Sequence, residues 1–204
     1  EDSAIYKIAY YKDPNGRLLD SKTAGIELIN ILRPITAIAT YITFGALALL
    51  RYPDCKEKLI KGELNYSHMF AQEIRRFYPF APFLGAKVRD NFIFNNYFFK
   101  KGTLVFLDVY GTNHDSRIWE IPNTFFPERF TFMDGNPYDF IPQGGGDPAK
   151  GHRCPGEWIV ITLLKTGMEF IAKHLSYVVP PQDLSISLRR MPAIPKSRFI
   201  MSKV

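Results

Sequence analysis

The feature that most constrains this chain is a glycine-rich segment that ends in a cysteine at the start of a helix. It reads Phe140-Ile-Pro-Gln-Gly-Gly-Gly-Asp-Pro-Ala-Lys-Gly-His-Arg-Cys-Pro-Gly-Glu157. A helix dipole and free backbone N–H groups stabilise a thiolate at Cys154, and Pro155 suits the first helical position. Two interpretations stay open from this segment alone: a functional thiolate, or a structural cysteine behind a glycine loop. The glycines do not fit the phosphate-binding pattern Gly-x-x-x-x-Gly-Lys-Ser/Thr, which disfavours nucleotide binding.

The composition predicts a folded chain with a large apolar core. Of the 204 residues, 46% are hydrophobic and 23% charged, and there are 17 Phe and 11 Tyr. The net charge of +6 comes without a basic run, so no nucleic-acid partner is expected. Two cysteines, Cys55 and Cys154, cannot build a disulfide framework, which favours a reducing, cytoplasmic location, and Cys55 is interpreted as a bystander.

Hydrophobic periodicity predicts a mainly α chain with a small β portion. The long irregular stretch in the second half is of a kind that is usually functional. The expected helices are a long one from near Ser21 or Thr23 to about Leu50, then 54–60, 66–77, 115–120 and 157–174; the expected strands are 86–88, 91–94, 103–107 and short ones after Tyr177, with irregular chain over 122–148.

The long helix contains the pair Arg33-Pro34 within apolar surroundings. Proline removes a backbone donor, so a bend or local break is expected there. The apolar run Ile35 to Leu50 has 16 residues, short of the about 20 that span a bilayer, so we expect a buried helix and no membrane anchor. The N-terminus carries neither Met nor a signal-peptide pattern, and we expect the chain to be a piece of something longer.

Two further motifs place opposite charges together. Glu73 and Arg76 lie three residues apart and share one helical face. Arg129 stands in Phe126-Pro-Glu-Arg-Phe130, flanked by aromatic residues that would draw it inward. One glutamate between two arginines predicts a buried charge network.

In this order, Glu-x-x-Arg at 73–76, Pro-Glu-Arg-Phe at 127–130 and Cys-x-Gly at 154–156 resemble the C-terminal half of a cytochrome P450. The resemblance implies the cytochrome P450 fold, with a long distal helix, a Glu-x-x-Arg helix, a small sheet, a cysteine-ligand loop and a following helix. Residues 1–204 would form the C-terminal part of a single haem-thiolate domain whose N-terminal half is absent.

The same resemblance implies the cofactor and its ligands. Haem b would be held through its iron by the thiolate of Cys154, whose electron donation favours cleavage of a bound O–O bond. Gly156 would lie against the cofactor, and His152 would hydrogen-bond a haem propionate. Glu73, Arg76 and Arg129 would form the structural triad that locks the loop beneath the haem.

Two departures narrow the family. The Phe that usually stands seven residues before the cysteine is Asp147 here, and Arg33-Pro34 replaces the usual acid beside a threonine. Both resemble the bacterial fatty-acid peroxygenases, as do the runs Ile26–Ile35 and Tyr110–Asp115.

Guanidinium matches a carboxylate bidentately, and an arginine among apolar residues needs such an anion. The resemblance therefore implies that Arg33 and Pro34 are catalytic, with Arg33 holding the carboxylate of a long-chain fatty acid. The substrate would then supply the acid and base, and hydrogen peroxide would replace dioxygen and a reductase partner. Oxidation would fall on the α or β carbon, by hydroxylation, by decarboxylation to a terminal alkene, or both.

Phe80 and Phe83 are candidates for the substrate pocket or for the ordinary core. Two alternative functions stay open: a haem-thiolate monooxygenase that depends on a redox partner, and a noncatalytic truncated fragment.

Overall fold

The computed structural model describes residues 2–132 and 136–203, and it is mainly helical with small antiparallel sheets. This confirms the predicted fold class. Residues 1–39 form one compact unit and residues 40–204 a second. The helices are α1 (Ala4–Ala9), α2 (Ser21–Arg51), α3 (Pro53–Lys61), α4 (Tyr66–Phe77), α5 (Val109–Asn113) and α6 (Glu157–His174), with a 3₁₀ helix at Pro127–Thr131; the strands are β1 (Phe83–Lys87), β2 (Phe92–Phe94), β3 (Tyr97–Phe99), β4 (Leu104–Asp108), β5 (Tyr177–Val178) and β6 (Ser202–Lys203).

The first unit is built from local hydrogen bonds. The hydroxyl of Ser3 accepts the Tyr6 N–H at 3.2 Å and so caps α1, a short helix that the sequence pattern did not predict. The carboxylate of Asp20 accepts the N–H groups of Lys22 and Thr23, each at 3.0 Å. That contact fixes the start of α2 at the predicted position.

The helix α2 runs unbroken from Ser21 to Arg51 with Pro34 inside it. The predicted local break is wrong, because the loss of one backbone donor is small against the remaining bonds of a 31-residue helix, and the alternative of a bend at Pro34 stays a prediction. By length and composition α2 could cross a membrane, a property it shares with the core helices of globular proteins. Residues 41–49 of α2 are largely buried, as predicted. Ile35 and Thr36 are exposed, so the prediction that the whole run from Ile35 to Leu50 is buried is wrong.

The core of the second unit lies where the end of α2 meets α4 and α6. A Cβ atom added at Gly45 would lie 2.1 Å from Met168 Sδ and 3.2 Å from Ile74 Cδ1, so a side chain here would require the Met168 side chain to move. Each fully buried Leu or Phe side chain contributes about 1.5–3 kcal/mol of burial free energy. Side chains with no exposure at this junction include Phe44, Leu47, Phe70, Ile74 and Leu164.

The predicted β region forms two antiparallel pairs. Strands β1 and β4 pair from Phe83 with Asp108 to Lys87 with Leu104. Strands β2 and β3 form a hairpin whose turn residues Asn95 and Asn96 have φ of 46° and 62°, as a two-residue hairpin turn requires. The turn was predicted from the asparagines, but β3 itself was not. A third pair joins β5 to β6 near the C-terminus.

The predicted helix at 115–120 is wrong. The structure has turns there, and the helix lies earlier, as α5. The carboxylate of Asp108 accepts the Gly111 N–H at 2.7 Å and starts α5. The carboxylate of Asp115 instead accepts the Arg117 N–H at 2.9 Å and pairs with its guanidinium, which favours a local turn over a helix.

Candidate functional site

Three charged side chains meet in the core, as the sequence predicted. Arg76 donates to both oxygens of Glu73, from Nη2 at 2.7 Å and from Nε at 2.8 Å. Arg129 Nε lies 3.2 Å from the second of those oxygens. The side chains of Glu73 and Arg76 have no exposure and that of Arg129 only 6%, so one buried carboxylate is shared between two guanidinium groups.

The remaining donors of this triad go to backbone carbonyls at the end of α5 and in the turns that follow it. Arg76 Nη1 donates to the carbonyls of Asn113 at 2.8 Å and Pro122 at 2.9 Å. Arg129 Nη1 donates to the carbonyl of Glu120 at 2.7 Å. Burial lowers the pKa of the Arg129 guanidinium, because the charged form loses solvation, while the charge of Glu73 opposes that shift. The triad therefore ties residues 113–129 to α4.

Cys154 is a free, half-buried thiol at the junction of the glycine loop and α6. Its N–H donates to the carbonyl of Gln143 at 2.9 Å, and its carbonyl accepts the Glu157 N–H at 3.3 Å. Gly156 caps the 18-residue helix α6. A Cβ atom added at Gly156 would lie 3.7 Å from the Cys154 sulfur, so this glycine borders the thiol directly.

The glycine loop closes tightly behind the cysteine. Gly144 has a φ of +90°, and a Cβ atom added there would lie 2.0 Å from the carbonyl oxygen of His152. A side chain at this position is excluded both by backbone conformation and by space. The side chain of His152 is exposed, and its predicted role toward a propionate stays a prediction.

A second charge cluster, which the sequence analysis missed, surrounds the cysteine. Arg75 donates from Nη2 to Glu157 Oε1 and from Nε to Gln143 Oε1, the latter at 2.9 Å. Arg153 Nη2 donates to the same Glu157 oxygen at 3.0 Å. Burial raises the pKa of Glu157, but the hydrogen bond from Arg153 and the charge of Arg75 outweigh it, and the net shift is downward. Residues 75 and 157 are far apart in sequence, and spacing alone carries no signal that joins them.

The other predicted residues lie elsewhere. Arg33 and Pro34 lie on α2 within the unit of residues 1–39, and both are exposed. Phe80 is half-buried and stacks on Tyr41, with ring centroids 4.6 Å apart. Phe83, also half-buried, meets the Phe106 ring edge-on at 5.3 Å. Their predicted place in a substrate pocket is untested by these contacts.

The family model of cytochrome P450 matches residues 38–194. The chain belongs to the cytochrome P450 family. Membership implies a haem-iron cofactor. Among curated relatives, rhazimal synthase from Alstonia scholaris is 38% identical over 165 residues, which are 70% of this chain and 32% of that protein. Cytochrome P450 4e5, mitochondrial, from Drosophila mettleri is 26% identical over 165 residues, or 72% of this chain and 31% of that protein.

Solved P450 structures are more similar. Cytochrome P450SP alpha (CYP152B1) in complex with (R)-ibuprophen is 46% identical with a TM-score of 0.89, over 98% of this chain and 49% of that one. A variant of cytochrome P450 OleT in complex with arachidonic acid is 42% identical with a TM-score of 0.88, over 99% and 48%. Cytochrome P450EX alpha (CYP152N1) with myristic acid is 44% identical with a TM-score of 0.86, over 98% and 50%.

This P450 chain thus spans about half the length of the solved structures that it matches and about a third of the curated relatives. The similarity to these three solved structures confirms the predicted cytochrome P450 fold and the predicted resemblance to the bacterial fatty-acid peroxygenases.

The site of this P450 has a donor set that fits a haem. Cys154 offers one soft sulfur ligand just before α6, and Gly156 leaves the sulfur without a neighbouring side chain on that side. Within residues 2–132 and 136–203, no group of three or more His, Cys, Asp or Glu side chains could hold a metal ion. A haem iron of this family needs one thiolate from the protein, and Cys154 would supply it.

Proposed function

We propose that this chain is the C-terminal part of a haem-thiolate peroxygenase domain that uses hydrogen peroxide to oxidise long-chain fatty acids at the α or β carbon. The product is a hydroxy acid, a terminal alkene, or both. The proposal needs no reductase partner. The observation that carries it is Arg33, a guanidinium set in the apolar helix α2 of a chain whose solved relatives include P450 structures with arachidonic acid and myristic acid.

The surroundings of Arg33 suit an amphiphile with one negative charge. Ile29, Leu32 and Ile35 lie within four residues of it on α2 and are 61%, 51% and 61% exposed. These side chains offer apolar surface to a hydrocarbon chain, and burial of that surface contributes about 25 cal/mol per Å². Arg33 offers the fork of donors that matches a carboxylate. A fatty acid satisfies both requirements at once.

Cys154 would hold haem b through its iron, with Gly156 beside the ring and His152 toward a propionate. The bound cofactor would supply the oxidising power for a carbon–hydrogen bond. Arg33 would orient the substrate by its carboxylate, which fixes the carbons next to the carboxylate as the ones oxidised. Pro34 cannot donate a backbone hydrogen bond to the helix carbonyl one turn earlier.

The substrate carboxylate would also carry the proton chemistry. Held by Arg33, it accepts a proton from one oxygen of hydrogen peroxide and returns it to the other. The acid side chain that would serve dioxygen activation has no counterpart before Thr36, whose hydroxyl donates to the Arg33 carbonyl at 2.7 Å. This hydrogen bond occupies the threonine within its own helix.

Peroxide-driven turnover of myristic acid by the haem-supplied chain tests the proposal, with Arg33→Ala as the variant. Loss of the bidentate pair should lower turnover by about 100-fold or more while haem content stays unchanged. Lys22→Ala is the matched control, because Lys22 is another exposed cation on α2. Its turnover should stay within about twofold of the parent.

Undiminished turnover in Arg33→Ala would contradict the carboxylate-anchor role. Turnover that needs dioxygen and a reductase, and not peroxide, would establish the partner-dependent alternative instead. A chain that takes up haem yet oxidises no fatty acid under either condition would be the noncatalytic alternative.

A further inference from the structure

Arg75 is a fully buried arginine whose every nitrogen is engaged by a side chain. Nε donates to Gln143 Oε1 at 2.9 Å, Nη1 donates to Gln72 Oε1, and Nη2 donates to Glu157 Oε1. Its side chain has no exposure. The guanidinium carbon also lies 5.1 Å from the centre of the Phe140 ring. A buried cation with this many fixed contacts is held in one position.

Three of these contacts lie on the segment that carries Cys154. Phe140 and Gln143 precede the cysteine, and Glu157 follows it at the start of α6. The carbonyl of Gln143 accepts the Cys154 N–H at 2.9 Å. Gln143 therefore contacts Arg75 through its side chain and Cys154 through its backbone. The geometry points to Arg75 as a positioning residue for Cys154, acting through Gln143 on one side and Glu157 on the other.

Arg76, the next residue, has a different destination. Successive helix residues point about 100° apart, so Arg75 and Arg76 leave α4 in different directions. Arg76 contacts Glu73 and the backbone carbonyls of Asn113 and Pro122. Arg75 contacts side chains around the cysteine. Adjacent arginines on α4 therefore contact two different parts of the chain: Arg76 contacts Glu73 of the triad and backbone carbonyls, and Arg75 contacts the residues around Cys154.

Glu157 adds a second connection between Arg75 and the cysteine segment. Its carboxylate accepts from Arg75 and from Arg153, the residue directly before the cysteine. Glu157 thereby joins Arg75 to both flanks of Cys154, because its own N–H donates to the Cys154 carbonyl at 3.3 Å. Removing Arg75 would leave the carboxylate with only the partly exposed Arg153 and leave Gln143 free to turn.

The consequence for chemistry rests on the proposed function, since it assigns Cys154 as the iron ligand. The positioning itself does not, and it is measurable without haem. Amide hydrogen exchange of the chain reports the opening of residues 143–157 separately from that of the β1–β4 pair. Arg75→Met should accelerate exchange in residues 143–157 by about tenfold or more, because hydrogen bonds to a charged group are lost. Exchange in β1 and β4 should change by less than about twofold.

Two companions make the test specific. Arg75→Lys keeps the charge but loses the fork, so it should restore the contact with Glu157 only and give an intermediate exchange rate. Arg117→Met removes an arginine that is 86% exposed and paired locally with Asp115, and it should leave residues 143–157 unchanged.

Gln143→Ala keeps the experiment decisive if Arg75→Met does not fold. Gln143 is half-buried, and its replacement removes only the link between Arg75 and the loop. It too should accelerate exchange in residues 143–157 by several-fold. Exchange there within twofold of the parent in Gln143→Ala overturns the proposal. A rise in Arg75→Met that is uniform over the whole chain overturns it as well, because that is the signature of general destabilisation.

Discussion

The charge clusters around Glu73 and Glu157 both consist of one carboxylate shared by two arginines, but they stabilise different parts of the chain. Around Glu73, two arginines share one carboxylate, and their spare donors go to backbone carbonyls at the end of α5 and in the turns that follow it. Around Glu157, two arginines again share one carboxylate, but Arg75 sends its spare donors to side chains, one of them at the glycine loop. The first cluster ties the end of α5 and the turns that follow it to α4. The second holds a short loop beside one sulfur atom.

The difference between the two clusters lies in the acceptors of the remaining arginine donors, and those acceptors decide which part of the chain each cluster stabilises. Asn113 is buried and Pro122 half-buried, and a carbonyl oxygen that is buried without a donor costs about 1–3 kcal/mol. Arg76 donates to both of these carbonyls. The cluster around Glu157 satisfies fewer backbone groups, so its loss should disturb the loop more than the fold.

The largest expected effect separates the clusters by stability. Arg76→Met leaves Glu73 buried with one partner fewer and frees the carbonyls of Asn113 and Pro122, so the free energy of unfolding should fall by about 3–5 kcal/mol. Chemical denaturation measures it. Arg117→Met, an exposed arginine, should change the same quantity by less than about 0.5 kcal/mol. Equal midpoints for the two variants would refute a structural role for the triad.

A smaller effect is expected on the loop side. Gly144→Ala places a methyl group 2.0 Å from the His152 carbonyl oxygen at a φ of +90°. The strain and the clash together should lower the free energy of unfolding by about 2 kcal/mol. Gly62→Ala is the matched control, because Gly62 has a φ of +67° and open space around its Cβ position. It should cost only about 1 kcal/mol, and a cost equal to that of Gly144→Ala would mean that the loop is not tightly closed.

The smallest expected effect is a pH dependence on the triad side. Burial lowers the pKa of His114 to about 4, a shift that its hydrogen bond to the Tyr110 carbonyl opposes and the charges of Arg76 and Arg129 reinforce. Between pH 6.5 and 4 the unfolded chain binds the proton first, so the free energy of unfolding falls as pH falls through this window.

His114→Asn should remove on the order of 1 kcal/mol of that fall, read as the difference between unfolding at pH 7 and at pH 5. Burial also lowers the pKa of His68, with the charges of Lys165 and Arg75 adding to the shift. His68→Gln therefore serves as the comparison on the Arg75 side, and it should flatten the pH dependence less than His114→Asn. A larger effect from His68→Gln would reverse the expected order of the two sides.

Much of this architecture could be predicted from the sequence because the signals are local. The bounds of α4 and α6 follow from hydrophobic periodicity, and the contact between Glu73 and Arg76 follows from helical spacing. The predicted place of Pro155 at the first helical position is wrong, because Gly156 is the N-cap and α6 begins at Glu157. The short helix α1 and the position of α5 depend on side-chain caps at Ser3 and Asp108. A single capping residue is a weaker sequence signal than the composition of the segment around it, so neither feature was predicted.

The cluster around Arg75 could not be predicted in this way. Arg75 and Glu157 are 82 residues apart, and only the packing of α4 against α6 brings them together. Neither residue type is expected in a protein interior, and an Arg next to Arg76 is more simply explained as a solvated helix face. Contacts of this kind become visible only in three dimensions.

We propose that Cys154 ligates a haem iron, and an absorption spectrum tests this role most directly. The chain and its Cys154→Ala variant would be supplied with haem, reduced and exposed to carbon monoxide, with Cys55→Ala as the control for the other thiol. The account predicts the band of thiolate-ligated haem in the parent and in Cys55→Ala, and its loss in Cys154→Ala. The same band in Cys154→Ala would contradict the account.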